Sequence, residues 1–330
     1  MGCSALRSFF HWKHAQNHSN HGLALRTAPI ESRPHLRHLL PTALFRSPLP
    51  VSDRLAVLPQ YLIPKQALTM LMGHLAGKQA GSLTTSVIRW FIQRYQVNMQ
   101  EAANPDPAAY ATFNEFFTRP LRESARPLSD SRWICPVDGA VSQIGPIAGD
   151  QIFQAKGHHY SSQALLGGDA ALASQFDNGH FATIYLSPRD YHRIHMPQTG
   201  RLLRMIYVPG DLFSVNPTTA RGVPGLFARN ERVVCIFEGA QGPFALVLVG
   251  ATIVGSMATV WHGVVNPPRT RDIRDWRYED QQITLHKGEE MGRFLLGSTV
   301  VMLMPAGTLN AFNAGWDAAT AVRLGEPMAD

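Results

Sequence analysis

Three short segments carry residue types that can perform acid–base and nucleophilic chemistry. Asp138 lies in the turn-forming stretch PVDGA, and His192 and His195 lie three positions apart in YLSPRDYHRIHMP. Gly297 and Ser298 open an apolar run in LLGST near the C-terminus. In a nucleophile–base–orienter set, an imidazole takes the proton of a hydroxyl group and a carboxylate holds the imidazole. Aspartate, histidine and serine are therefore present in the combination that such a set needs.

Each segment alone also has an ordinary structural interpretation. Asp-Gly is typical of turns, and a Gly-Ser pair before a strand is usually a turn as well. Many serine hydrolases place the nucleophile in a G-x-S-x-G elbow, which the LLGST stretch lacks. A serine hydrolase that acts on esters without cutting its own chain stays open as an alternative.

Composition narrows the class of protein. Hydrophobic residues make up 45% of the 330 residues and charged residues 16%, which excludes a disordered protein because the chain can bury a core. The formal net charge is +6, which favours anionic partners. Most of the excess positive charge lies in residues 1–50, which contain six basic residues and one glutamate. A nucleic-acid partner is not predicted, because the rest of the chain carries no concentrated basic charge.

Hydrophobic patterning predicts the elements that position these residues. Residues 55–100 repeat apolar positions at spacings of three and four, which is typical of amphipathic helices. From about residue 131, short runs rich in Val, Ile, Thr and Phe alternate with Gly, Pro and Asn, as strands and turns do. The prediction is an α+β fold: a mainly antiparallel β catalytic body (131–330) with an N-terminal amphipathic helical layer, which forms a membrane-contact region (55–130).

The apolar faces of these helices allow two interpretations. They can lie on a membrane surface, or they can pack on the protein core as an ordinary layer. The uncharged stretch 244–261 is long enough to be considered as a membrane span, but its β-branched residues and glycines favour two buried strands. Any membrane contact is therefore expected to be peripheral.

The remaining features suggest little chemistry. Residues 1–54 are predicted to be a basic, disordered extension, although their acid-poor composition overlaps with that of transit peptides. Cys3, Cys135 and Cys235 form no CxxC pair, and no ligand set for a metal is predicted.

Many ordered blocks resemble the phosphatidylserine decarboxylases of the bacterial and mitochondrial type. The resemblance runs from about residue 61 to residue 325. One of its blocks is KGEEMGRFLLGSTV (287–300), which contains the LGST processing motif of that family. The other blocks are FNEFFTRPLR, PVDGAVSQIG, QAKGHHYS, YLSPRDYHRIHMP, YVPGDLFSVN, LFARNERV and VGATIVGS.

The resemblance implies a self-cleaving zymogen. Ser298, deprotonated by His195 with Asp138 behind it, would attack the Gly297 carbonyl and turn the peptide bond into an ester. Elimination and hydrolysis would leave a pyruvoyl group in place of Ser298, on a small chain (298–330) that stays with the large chain (1–297). Asp138, His195 and Ser298 are thus the implied catalytic residues.

The resemblance further implies a pyruvoyl-dependent carboxy-lyase without a metal. Its pyruvoyl group would form a Schiff base with phosphatidylserine, and loss of carbon dioxide would give phosphatidylethanolamine. His192 is the candidate for substrate positioning or proton transfer in this step. The expected location is peripheral, on the anionic, cytoplasmic surface of a bacterial inner membrane, with a homodimer left open. Alternatives are a pyruvoyl-dependent decarboxylase of a free amino acid and a catalytically dead lipid-binding relative.

Overall fold

The computed structural model describes residues 51–252 and 256–330. The basic extension is predicted for residues 1–54. Residues 1–50 lie outside the described residues, so the prediction stays a prediction there, whereas residues 51–54 belong to the helix Val51–Leu62.

Three amphipathic helices open the described part of the chain: α1 (Val51–Leu62), α2 (Lys65–Ala76) and α3 (Ser82–Tyr95). Pro64 separates the first two, and α3 ends where Gln96 takes a left-handed conformation with φ 56°. The short helix α4 (Phe113–Phe117) follows, capped by the Thr112 hydroxyl, which accepts a hydrogen bond from Glu115 N at 3.1 Å. The predicted N-terminal helical layer is confirmed.

Beyond residue 130, strands and short helices alternate. The strands are β1 (Trp133–Ile134), β2 (Gly139–Pro146), β3 (Gln151–Ala155), β4 (His158–Ser161), β5 (His180–Tyr185), β6 (Arg193–His195), β7 (Gly200–Val208), β8 (Arg232–Gly239), β9 (Gly242–Val249), β10 (Met257–Thr259), β11 (Gly263–Val264), β12 (Arg274–Arg277), β13 (Thr284–Leu285), β14 (Glu290–Phe294), β15 (Thr299–Met304), β16 (Ala321–Val322) and β17 (Pro327–Ala329). The helices are α5 (Ser162–Leu165), α6 (Ala170–Ala173), α7 (Pro217–Gly222) and α8 (Leu226–Arg229).

One antiparallel sheet forms the centre of the body. Its strand order is β12-β7-β8-β9-β15-β5-β2-β16, and β13 also pairs with β7. Strand β15 lies inside this sheet between β9 and β5, and all six of its residues are buried. The predicted α+β fold with a mainly antiparallel β body is confirmed.

The two faces of this sheet carry different layers. Along β15, Val300, Met302 and Met304 belong to one buried cluster, which includes residues of β6, β10 and β14 from a second sheet of order β11-β10-β14-β6. Val301 and Leu303 point to the other face, where the short helices α5 to α8 contribute to a second buried cluster. This alternation follows the two-residue period of a strand. The residues just before β15 therefore lie at the junction of the two sheets.

The uncharged stretch at 244–261 contains β9 and β10, as the strand interpretation predicted. Among the helices of the described residues, none combines the length and the apolarity needed to cross a membrane.

Candidate active site

The link between β14 and β15 holds Gly297 and Ser298. Backbone hydrogen bonds fix it on both sides: Leu295 N donates to Ser256 O at 2.9 Å, and Leu186 N donates to Ser298 O at 2.9 Å. The side chain of Leu296 packs in a small buried cluster with Ala76 of α2 and Phe117 of α4. Residues 295–298 are thus held between the strands and the N-terminal helices.

The hydroxyl group of Ser298 is buried and makes no hydrogen bond within the described part of the chain. The residue is 1% exposed, and its Oγ has no hydrogen-bond partner among the described residues. A buried polar atom without a partner costs free energy and needs a specific explanation. A role of this hydroxyl group as a nucleophile is one such explanation.

His192 presents a ring nitrogen to this link. Its Nδ1 lies 2.8 Å from Asp190 O, and since a carbonyl oxygen only accepts, Nδ1 carries the proton and Nε2 the lone pair. Nε2 is buried without a partner in the described part of the chain, and a carbon placed at the side-chain position of Gly297 would lie 3.7 Å from it. Burial, partly offset by the hydrogen bond to Asp190 O and reinforced by the charge of Arg119, lowers the pKa of His192 to about 3. The ring is therefore neutral at physiological pH.

His195, on β6, has partners for both ring nitrogens. Nδ1 lies 2.7 Å from Gly288 O, which assigns the proton to Nδ1, and Nε2 lies 3.1 Å from the Tyr191 hydroxyl, which donates to it. Burial lowers the pKa of His195 below its usual value. The lone pair of Nε2 is thus occupied by Tyr191 in the uncut chain.

Asp138 lies between β1 and β2, and its carboxylate is held by two groups. Arg126 Nε donates to Oδ1 at 2.9 Å and Arg126 Nη2 donates to Oδ2, while Leu324 N donates to Oδ1 at 2.9 Å. The backbones of the two segments meet, because His195 N donates to Pro136 O at 2.9 Å. The charge of Asp138 raises the pKa of His195, although less strongly than burial lowers it.

The structure therefore brings His192 to Gly297 but joins Asp138, His195 and Ser298 by no direct side-chain hydrogen bond within the described residues. The predicted roles of these three residues stay predictions. Sequence reasoning did not single out Tyr191 or Arg126. Tyr191 lies inside the motif YLSPRDYHRIHMP, so its position next to the two histidines could have indicated a role at the site. Arg126 lies outside every quoted motif, and no sequence feature indicates its role.

Comparison with known proteins gives this geometry its context. The family model described as phosphatidylserine decarboxylase matches residues 113–330, and a second model, described as PSD, matches residues 55–96. The chain belongs to the phosphatidylserine decarboxylase family. The resemblance stated from the motifs is thereby confirmed.

Individual relatives of this family are close. The phosphatidylserine decarboxylase proenzyme of Azoarcus sp. (strain BH72) is 74% identical over 280 residues, which cover 85% of this chain and 97% of the relative. The proenzymes of Albidiferax ferrireducens and Dechloromonas aromatica are 73% and 72% identical, each covering 84% of this chain and 97% or 98% of the relative. The decarboxylase family thus includes relatives that are named as precursors.

A cleft adjoins the link between β14 and β15 in this member of the decarboxylase family. Its volume is about 470 Å³, and Leu295 forms part of its wall. Helix α2 supplies one side through Met70 and His74, while Asn114 and Arg269 provide polar groups. A largely apolar cleft with few polar groups suits a ligand with an apolar part and a charged part.

No cluster of three or more His, Cys, Asp or Glu side chains is arranged to hold a metal ion in residues 51–252 and 256–330. Cys135 and Cys235 are both buried, and burial raises the pKa of each thiol well above its usual range. Neither thiol is thus available as a thiolate nucleophile.

Proposed function

We propose that this chain is the proenzyme of a phosphatidylserine decarboxylase and that it cuts its own Gly297–Ser298 bond. One observation carries the proposal: Ser298 Oγ is buried and has no partner among the described residues, at the link where the family's LGST motif falls, and Nε2 of His192 faces the neighbouring Gly297. The names of the relatives, which are decarboxylase proenzymes, support the same activity.

The self-cleavage begins with attack of Ser298 Oγ on the carbonyl carbon of Gly297. His195 takes the hydroxyl proton and returns it to the departing nitrogen, so that an ester replaces the peptide bond. For this, Tyr191 must release Nε2 of His195. Asp138 supports the protonated ring through its negative charge.

The ester then breaks by elimination. The α-proton of Ser298 leaves, the Cβ–Oγ bond breaks, and Gly297 departs as a new C-terminal carboxylate. The dehydroalanine left at position 298 takes up water and releases ammonia, which gives a pyruvoyl group. The products are a large chain (1–297) and a small chain (298–330), which β15 would hold inside the main sheet.

The surroundings of Ser298 fit a pyruvoyl group. The Ser298 carbonyl is already fixed by Leu186 N. Among the described residues other than its chain neighbours, Nε2 of His192 is the one atom within 4 Å of the side-chain position of Gly297, which leaves room for a substrate after the chain is cut. Such a group supplies a carbonyl that reacts with the amine of the substrate and accepts the electrons released with carbon dioxide. His192, neutral and buried, is proposed to hold or move a proton at the carbon that loses the carboxylate.

The exposed apolar side chains of α1 to α3 support peripheral contact with a membrane. A helical layer packed on the core would bury these positions, yet Leu62 is 87% exposed, Leu83 65% and Trp90 58%. Leu55, Leu58, Tyr61, Met70, Leu71, Leu75 and Val87 are also exposed. Lys78 and Arg89 are exposed beside them and suit an anionic lipid surface. We propose that the enzyme works on the cytoplasmic face of the inner membrane, with phosphatidylserine as its substrate.

Intact-mass measurement of the purified protein tests the cleavage, and carbon dioxide release from phosphatidylserine vesicles tests the activity. We expect a 33-residue small chain whose first residue lacks an amine and carries a keto group. Release of carbon dioxide from free serine without vesicles would favour the amino-acid decarboxylase. An uncut chain that binds vesicles but releases no carbon dioxide would favour the catalytically dead relative.

A further inference from the structure

A closed ring of contacts connects Asp138 to the C-terminal segment. Arg126, which holds Asp138, also donates from Nη2 to Glu101 Oε2 at 2.7 Å, and Arg323 Nη1 donates to Glu101 Oε1 at 3.4 Å. Leu324 N donates to Asp138 Oδ1. Since Arg323 and Leu324 are neighbours in the chain, the contacts run in a circle. They link the proposed large chain to the proposed small chain.

We propose that Arg126 is a positioning residue for the self-cleavage, because it fixes the carboxylate of Asp138 against the C-terminal segment. This inference rests on the proposed function. Arg126 does not act on the reacting atoms itself, and its effect passes through Asp138.

The ion pair between Arg126 and Asp138 is buried, and its geometry sets the orientation of the carboxylate. The side chains of Arg126 and Asp138 are 7% and 9% exposed, so loss of the guanidinium would leave the buried carboxylate of Asp138 without this charged partner. A guanidinium binds a carboxylate with two parallel N–H groups and sets its orientation, whereas the single ammonium group of lysine cannot. The orientation of Asp138 therefore depends on the planar group of Arg126.

The position of Asp138 matters because its influence on His195 passes through charge. Both ring nitrogens of His195 are bonded elsewhere, to Gly288 O and the Tyr191 hydroxyl. The charged groups that act on His195 are Glu290, Arg193 and Asp138. Arg126 also pairs with Glu101, so two carboxylates share one guanidinium. Its positive charge therefore does not fully neutralise Asp138, whose remaining negative charge can act on His195.

The test compares Arg126→Lys and Arg126→Gln with a matched pair at Arg204. Arg204 also bridges two carboxylates, Asp275 and Asp169, at 2.6–2.9 Å, and its side chain is 13% exposed, but none of its bonds reaches the candidate site. Self-cleavage is followed by gel after in vitro translation, and thermal unfolding of each variant is measured in a Ser298→Ala background, where the chain stays uncut.

We expect self-cleavage to slow by about tenfold in Arg126→Lys and about 100-fold in Arg126→Gln, the scale of a misplacement of roughly 1 Å in a catalytic set. Arg204→Lys and Arg204→Gln should lose stability and still be cut at the wild-type rate. The inference is overturned if Arg126→Gln is cut at the wild-type rate, or if the Arg204 variants slow equally. If Arg126→Gln does not fold, Arg126→Lys decides, and a folded protein cut at the wild-type rate overturns the inference. A wild-type chain that stays uncut would instead refute the proposed function.

Discussion

The Nε2 atom of His192 faces Gly297, 3.7 Å from the point where a side chain on that glycine would begin. The opposite ring nitrogen is tied to Asp190 O at 2.8 Å, so the tautomer and the direction of the lone pair are both set. The histidine motif and the glycine lie far apart in the sequence, and pairing of β6 with β14 brings them together. A neutral imidazole thus lies beside the bond that the family's motif marks for cleavage.

Replacement of Ser298 by alanine should abolish self-cleavage without loss of stability. The nucleophile is removed, but its Oγ makes no hydrogen bond among the described residues, so the described part of the fold loses no hydrogen bond. Removing a buried hydroxyl without a partner should leave the free energy of unfolding unchanged or raise it by about 1 kcal/mol. A denaturing gel should give one uncut band, and urea unfolding should give the stability.

Ser187→Ala is the matched control for that variant. Its hydroxyl donates to Asp190 Oδ2 at 2.7 Å, so its loss should cost about 1–2 kcal/mol of stability while the chain is still cut. If Ser298→Ala were cut normally and Ser187→Ala were not, Ser298 would lose its assigned role.

Gly297→Ala should fold normally and be cut slowly. Among the described residues apart from its chain neighbours, the added methyl group meets His192 Nε2 alone, at an ordinary contact distance of 3.7 Å, so the uncut chain has room for it. During attack, however, the methyl group crowds the carbonyl carbon that Ser298 Oγ must reach. We expect self-cleavage to slow by about tenfold or more, equivalent to ~1.4 kcal/mol in the barrier. Time courses on gels should measure it, and cleavage at the wild-type rate would contradict this view of the site.

The sequence was sufficient for the layout of the fold, because strands such as Thr299–Met304 are continuous apolar runs that only a buried position explains. It was also sufficient to indicate the family, since the motifs around Asp138, His195 and Ser298 are specific to one family; the catalytic roles of these three residues stay predictions. The partners of those residues were not predictable. Tyr191 and Arg126 contact the site through the geometry of loops, which hydrophobic periodicity does not encode.

The N-terminal helices illustrate the same limit. Periodicity places Leu58, Leu62 and Leu75 on apolar faces, but it cannot tell a face on the core from a face toward a membrane. The structure buries Ile88 and Val57 and leaves those three leucines exposed, a distinction that depends on what the helices pack against.

Acid should destabilise the uncut protein partly through His192. Its pKa in the folded protein is about 3, against 6.5 in the unfolded chain, so the unfolded state binds more protons between these values. Its contribution to stability is therefore complete above pH 6.5 and declines as the pH falls, by about 1.4 kcal/mol per unit. In a Ser298→Ala background, the loss of stability between pH 7.5 and 5.5 should be about 1.4 kcal/mol smaller for His192→Gln. Equal losses in the two proteins would show that the ring is not buried in its neutral form.

Membrane binding should depend on the exposed apolar side chains of the first three helices. Changing Leu62, Leu83 and Trp90 to glutamine leaves the core intact, since all three are more than half exposed. If each side chain enters the lipid and contributes at least ~1 kcal/mol, the affinity for vesicles should fall by about 100-fold. Flotation with vesicles containing an anionic lipid measures this affinity, and it is best done on the uncut Ser298→Ala protein, so that turnover does not change the lipid.

The body of the protein offers a control for that experiment. Val260, Val264 and Ile273 are 47–49% exposed and lie outside the helices, so their replacement by glutamine removes comparable exposed apolar groups. If the helices form the contact surface, only the helical triple variant should stay behind when vesicles float. Equal losses for both triple variants would mean that general surface hydrophobicity drives binding. If neither variant lost affinity, the lipid would have to reach the cleft beside Leu295 by a route that does not use these helices.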